Sequence, residues 1–278
     1  MTFKRLLSIV DVRQDDEDLK TAISLCAEIE AQLSVVVVAI AQLPPMGAYP
    51  VGTGDIWVAE RNEDLAALGK RVEEIEALTA KAGISATVND EYPEAARFRH
   101  VVGRYARYSD ATIIGSDLLG NESLKAEAIE GALFESGKPI LIVPRGRKPT
   151  LRPRSVVLAW DSGLECTRAA REALHLMSDA RDVHVTLVDP DTSSIGNGPE
   201  PGAEIASYLA HHGIRVAVDC LPSGGDAIAD VIKRHATDVA ADLIVMGGYG
   251  HSRIREWVFG SVTKSILDDP SMPVLMAR

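Results

Sequence analysis

The feature that most constrains this chain is a rhythm of apolar runs and longer amphipathic segments that occurs twice. In the first half the runs are Arg5–Val10, Ser34–Ile40, Ile84–Val88, Ala111–Gly115 and Ile140–Val143. In the second they are Ser155–Trp160, Val183–Val188, Ile214–Leu221, Leu243–Gly247 and Val274–Met276. They are continuous rather than alternating, the mark of strands covered on both faces of a parallel sheet. Between them, Asp18–Gln32 carries Leu19, Ile23, Leu25, Cys26 and Ile29 at helical spacing, and Val58–Lys81, Glu94–Tyr108, Glu165–Ser178 and Asp226–Thr237 read as helices too. Strands alternating with helices leave an α/β fold with a parallel sheet.

The halves also correspond locally. Asp110-Ala111-Thr112-Ile113-Ile114-Gly115 matches Asp242-Leu243-Ile244-Val245-Met246-Gly247, and Pro139–Val143 matches Pro273–Met276. Between them, Pro144–Arg154 holds three prolines and five basic residues without periodicity and reads as a linker. We expect two tandem five-stranded parallel-sheet domains with helices on both faces, over residues 1–145 and 153–278. Ligands of such sheets sit in the crevice at the carboxyl ends of the middle strands.

Charge and hydropathy close off other functions. With 29 Lys+Arg against 40 Asp+Glu the net charge is −11, which argues against nucleic acid as a partner, because phosphates demand a basic surface. No run approaches the roughly 20 apolar residues of a membrane span, and the first residues do not form a signal peptide. Cys26, Cys166 and Cys220 are scattered without CxxC spacing and read as buried thiols. These features predict a cytoplasmic protein with no membrane partner. His211-His212 are neighbours on a helix and diverge by about 100°, so no metal ligand set is expected.

The stretch after the fourth strand of the second half carries the most chemistry. Gly247 and Gly250 allow close backbone approach, and Gly260-Ser261 precedes a helical stretch with Val262, Ile266 and Leu267. A Ser cap, free N–H groups and the helix dipole make an anion site there, and His251, Arg253 and Arg255 make the loop cationic. The bland reading is a glycine turn before a capped helix. In the same way, Asp161 in Asp161-Ser162-Gly163 reads equally as a helix cap or as a ligand group.

Gly247-x2-Gly250-x9-Gly260-Ser261, with its flanks, resembles the G-2x-G-9x-G-[S/T] pattern of ATP-binding universal stress proteins. The likeness extends over the whole chain as two consecutive domains. It implies strand order 3-2-1-4-5, pairing through the last strands as an intrachain pseudo-dimer, and leaves a homodimer open. It implies ATP, with or without Mg²⁺, as the cofactor. Adenine would be held by Asp161, beside Ala159, and by backbone at Val188. Gly247, Gly250, Gly260 and Ser261 would cradle ribose and phosphates, with Met246, Val262 and Thr263 alongside.

The first half departs from this pattern. After Gly115 it reads Ser116-Asp117-Leu118-Leu119-Gly120-Asn121-Glu122, with no second glycine at the right spacing and with Asp117 and Glu122 where phosphates would lie. Asp11 keeps the acid that ends the first strand, but this half is expected to bind no ATP. The insertion Leu43–Trp57 reads as a loop over the sheet end, a lid or partner surface being the alternative. Gly131–Pro139 imitates a phosphate loop but has one residue too many, Pro where Ser/Thr is required, and runs from helix to strand. No residue is marked as catalytic. A regulatory nucleotide binder with an unknown protein partner, active in a stress response and at most slow in hydrolysis, is the leading expectation. A nucleotide-free scaffold and an adenylating enzyme are the alternatives.

Overall fold

The computed structural model describes residues 3–44, 53–193, 199–248 and 261–278. Its backbone divides into two compact units, Lys4–Ser136 and Gly137–Arg278, the latter joined by the first residues of the chain.

The first unit contains β1 (Arg5–Asp11), α1 (Glu17–Ile29), β2 (Gln32–Val38), α2 (Thr53–Ala82), β3 (Ala86–Glu91), α3 (Ala95–Ala106), β4 (Ala111–Ile114), α4 (Ser116–Gly120) and α5 (Glu122–Glu130), and a π-helical turn at Gly131–Glu135. Its strands run parallel in the order β3-β2-β1-β4. β1 and β2 are almost wholly buried, as their continuous Leu/Val/Ile runs require, whereas β3 at the edge is half-exposed.

The second unit contains β5 (Ile140–Ile142), β6 (Ser155–Ala159), α6 (Leu164–Glu172), α7 (Leu174–Asp179), β7 (Asp182–Val188), α8 (Ala203–His211), β8 (Val216–Leu221), α9 (Ile228–Asp238), β9 (Leu243–Gly247), α10 (Ser261–Asp268) and β10 (Val274–Ala277). The strands β8-β7-β6-β9-β10 are parallel, the expected 3-2-1-4-5 winding. β5 follows β10 in antiparallel pairing.

The repeat in sequence is a repeat in hydrogen bonding. Asp110 Oδ2 accepts the N–H groups of Lys4 and Arg5 at 2.6 and 2.9 Å. Asp242 Oδ2 accepts those of Arg154 and Ser155 at 2.7 and 3.2 Å. Asp110 thus ties the start of β1 to the start of β4, and Asp242 the start of β6 to the start of β9, satisfying strand-end amides.

Three expectations need correction. Residues 53–57 of the supposed loop begin α2, where Trp57 Nε1 donates to the Gln42 carbonyl at 3.0 Å; residues 45–52 lie outside the described residues. The single helix expected over Glu165–Ser178 is broken at Ala173 into α6 and α7. α8, which buries Ile205 and Leu209 one turn apart, adds a helix to those expected. Cys220 is exposed, because it lies on β8, whose side chains are mostly half-exposed or exposed, while Cys26 and Cys166 are buried. The false phosphate loop begins on the π turn: a Cβ on Gly131 would lie 2.3 Å from the Arg99 carbonyl of α3, so that glycine serves helix packing.

Candidate functional site

At the carboxyl ends of β6, β7 and β9 the second unit opens into a cleft of about 340 Å³. β6 and the turn after it supply Ala159, Trp160 and Asp161; β7 supplies Thr186 and Val188; β9 supplies Met246 and Gly247. The helices close the sides with Glu165 and Cys166 of α6, Ile228 and Ile232 of α9, and Val262 and Thr263 of α10. The volume falls in the range of small-molecule pockets. Trp160 lines the cleft without filling it.

The floor is tight. A Cβ on Gly247 would meet the Cys166 backbone nitrogen at 2.5 Å and the Glu165 carbonyl carbon at 2.6 Å, so only glycine lets the first turn of α6 come this close. Cys166 donates its thiol to the Gly163 carbonyl at 3.1 Å, and burial pushes that thiol up to about 12. It is therefore a neutral wall group. Asp161, at the exposed mouth, takes the Gly163 N–H on Oδ1 at 2.8 Å. This bond closes a turn ahead of α6, whose N-cap is Gly163 with no side-chain cap, so Asp161 is not the helix cap.

Two features give the cleft its polarity. Ile228 is 42% exposed on the lip and joins Val188, Ile232 and Met246 in an apolar wall. Thr186 is 1% exposed, and its Oγ1 has no hydrogen-bond partner in the structure. An unmet buried hydroxyl beside an open cleft is a group waiting for a partner.

Of the residues singled out in sequence, Ala159, Asp161, Val188, Met246, Gly247, Val262 and Thr263 meet around this cleft. Ser261 begins α10, and Gly250 and Gly260 lie outside the described residues, as do Tyr249, His251, Arg253, Arg255 and Trp257. Sequence reasoning did not find Thr186, Glu165, Cys166, Ile228 and Ile232. The signal was present only for Thr186, a hydroxyl inside the apolar run Val183–Val188.

The corresponding place in the first unit is already filled. Asp18, on the first turn of α1, sits against Gly115, where a Cβ would fall 2.0 Å from the aspartate Cγ. Its Oδ2 accepts the N–H groups of Asp117 and Leu118 at the start of α4, at 3.0 and 3.4 Å, and Gln14 Nε2 at 2.9 Å. Ser116 Oγ donates to Oδ1 at 3.2 Å. Burial raises the Asp18 carboxyl above its ordinary 3.8, against the lowering effect of these hydrogen bonds. Asp117 is raised as well, by burial first and then by the charge of Asp18. The unit's own cavity, about 320 Å³ at the ends of β1 and β2, is lined by Asp11, Glu60, Glu63 and Asp64, with Arg13 paired to Asp64 at 3.3 Å. An anion finds a repulsive field here.

Residues 153–278 match the Universal stress protein family. No curated protein sequence matches the chain. Among solved structures, a universal stress protein from Archaeoglobus fulgidus DSM 4304 is similar at 18% identity and TM-score 0.68, covering 99% of this chain and 96% of its own. A putative universal stress protein from Pseudomonas aeruginosa UCBPP-PA14 is similar at 14% identity and TM-score 0.60, covering 99% and 93%. A functionally unknown protein from Pseudomonas aeruginosa PAO1 follows at 16% identity and TM-score 0.55, covering 99% and 92%. These identities speak for a shared fold across both halves. Residues 153–278 are thus similar to the Universal stress protein family, and the fold is shared with these structures over both halves.

Proposed function

We propose that the second unit binds an adenine nucleotide, ATP with or without Mg²⁺, in the cleft at the ends of β6, β7 and β9, and that binding regulates the protein's contact with a partner during a cytoplasmic stress response. The observation that carries this reading is the pairing of a floor that admits only glycine at Gly247 with a buried, unpartnered Thr186 hydroxyl under an apolar wall. The residues present suit the ligand. Val188, Ile228, Ile232 and Met246 fit the faces of a purine, and Asp161 can accept its exocyclic amino hydrogens through the oxygen not used by Gly163. Backbone at Val188 would serve another ring edge. Gly247, Gly250, Gly260, Ser261, Val262 and Thr263 would hold ribose and phosphates, the last four at or near the N-terminus of α10, where the dipole favours an anion.

The first unit binds no nucleotide in this reading, since the Asp18 carboxylate already satisfies the α4 amides and Asp117 lies beside it. Its role is pairing or partner contact. Turnover is at most slow, because phosphoryl transfer depends on positioned metal and base groups that the sequence motif does not supply. Native mass spectrometry and calorimetry on the full chain test the proposal. One ATP per chain, lost in the Gly250→Val/Gly260→Val double variant, is the expected result; two per chain, or none, overturns it.

A further inference from the structure

Outside the cleft, the second unit brings two imidazoles and a carboxylate to one point. His184 lies on β7, Asp219 on β8 and His235 on α9. Side chains two apart on a strand share a face, so His184, Thr186 and Val188 point the same way, and the register sets Asp219 beside Thr186. His235 follows Ile232 by three positions on α9, which keeps it on the helix face that meets the sheet. As a result, His184 Nδ1 and His235 Nε2 both lie against one atom, Asp219 Oδ2, at 2.8 and 3.1 Å. The rings stand edge-on with centroids 5.9 Å apart. The three side chains are 21%, 27% and 13% exposed, sheltered but open to solvent on one side.

We propose that His184, Asp219 and His235 bind a divalent transition-metal ion, zinc by preference, as a three-ligand site completed by water. The three ligand atoms already lie within 4.8 Å of one another. Zinc bonds of about 2.0–2.1 Å in a tetrahedron set ligand atoms about 3.3–3.4 Å apart. The observed separations to Asp219 Oδ2, 2.8 and 3.1 Å, fall short of that by about half an ångström or less, a difference side-chain rotation can supply. Two imidazoles with one carboxylate suit borderline ions, whereas Ca²⁺ and Mg²⁺ require oxygen sets. All three ligands stand on strands or a helix, so their arrangement is fixed before an ion arrives. A metal ion requires the ligating ring nitrogens to be unprotonated, so binding competes with protons and weakens in acid. The ion would pin α9, which also carries Ile228 and Ile232 of the cleft wall, to β7.

The plain competitor is a carboxylate that merely accepts two histidine hydrogen bonds. To separate them, the full chain, stripped with a chelator, is titrated with zinc sulfate against a chromophoric indicator. One site per chain is expected. His184→Gln, Asp219→Asn and His235→Gln should each weaken it by at least the roughly 10–100-fold that loss of even an outer-shell partner causes. His211→Ala, His212→Ala and Cys220→Ser should leave it intact; Cys220, next to Asp219 in β8, points to the opposite face. Should a variant fail to fold, side-chain imidazole NMR of the wild type provides the second readout: zinc should shift two of the seven histidines together. No zinc bound at micromolar concentrations, or binding that survives all three substitutions or follows Cys220, overturns the proposal. It stands or falls without any nucleotide present.

Discussion

Asp18 offers the sharpest test of why the two units differ. Its Oδ2 collects the backbone amides of Asp117 and Leu118 at the start of α4, together with Gln14 Nε2, and Oδ1 receives Ser116 Oγ. Asp18→Ala removes the acceptor and strands two helix-terminal donors, of which Leu118 is 3% exposed. At about 1–3 kcal/mol for each buried donor left unsatisfied, with water reaching the Asp117 amide, the loss is about 2–4 kcal/mol. With a urea m-value of about 2 kcal/mol/M, that lowers the midpoint for the first unit by about 1–2 M. Asp18→Asn keeps an oxygen for the amides and can turn its NH₂ toward Ser116, so it should stay within about 1 kcal/mol of wild type at pH 7.

The pH dependence provides the refutation. Burial raises the Asp18 carboxyl above 3.8 in the folded chain, so between 3.8 and that raised value the folded state holds a proton that the unfolded state has released. The stability this group confers is complete below 3.8 and is lost as pH rises through the folded value. Asp117 shifts the same way, partly because of Asp18. Wild type should therefore gain on Asp18→Asn as urea melts move from pH 7 toward pH 4. If wild type instead loses ground on acidification, the hydrogen bonds to Asp18 outweigh its burial and the reading of its raised carboxyl is wrong. If Asp18→Ala melts like wild type, water satisfies the amides and the carboxylate does not occupy the site.

Three further outcomes follow from the same contacts. Gly247→Ala sets a Cβ 2.5 Å from the Cys166 nitrogen, so α6 must retreat at a cost of about 1–3 kcal/mol; differential scanning fluorimetry should show a lower melting temperature and a smaller shift on adding ATP. In the native chain at pH 8 only Cys220 should react with a thiol reagent, because burial pushes the Cys26 and Cys166 thiols up to about 12; two fast-reacting thiols would contradict this. Asp110→Ala and Asp242→Ala should each destabilise their own unit by about 1–3 kcal/mol in urea melts, and Asn should restore most of it, since each carboxylate accepts two strand-end amides.

The sheet was legible because burial on both faces leaves its mark as uninterrupted apolar runs, and β1, β2, β6 and β9 lie within two residues of the runs that announce them. Elements that bury little were harder to see. The half-exposed side chains of β3 blur its end, which runs three residues past the apolar run, and the periodicity of Glu165–Ser178 gives no hint of the break at Ala173, which changes backbone angles without changing the face presented. Within the cleft, Gly247, Asp161 and Val188 follow from a local motif and the strand ends. Ile228 and Ile232 arrive by helix packing, and no spacing in the sequence connects them to Gly247. The histidine pair was hidden for the same reason: His184 and His235 are 51 positions apart and meet only because α9 crosses β7. The readable sign was polarity in a buried strand, since His184 and Thr186 interrupt an otherwise apolar run on one face.

The contrast between the units reduces to what the first turn of one helix presents to one glycine. In both, that turn comes so close to the glycine at or just after the end of the fourth strand that no Cβ fits, at Gly115 and at Gly247. In the first unit the turn presents Asp18, an anion built into the chain, and the α4 amides are satisfied from within. In the second it presents the backbone of Glu165 and Cys166, and the Cys166 thiol is bonded to its own turn. An internal carboxylate brings its partner at no translational cost, so an external phosphate could displace Asp18 only by leaving it buried and unpaired. Loss of glycines after Gly115 is then the smaller part of the difference: restoring them without removing Asp18 should leave the first unit unable to take up nucleotide.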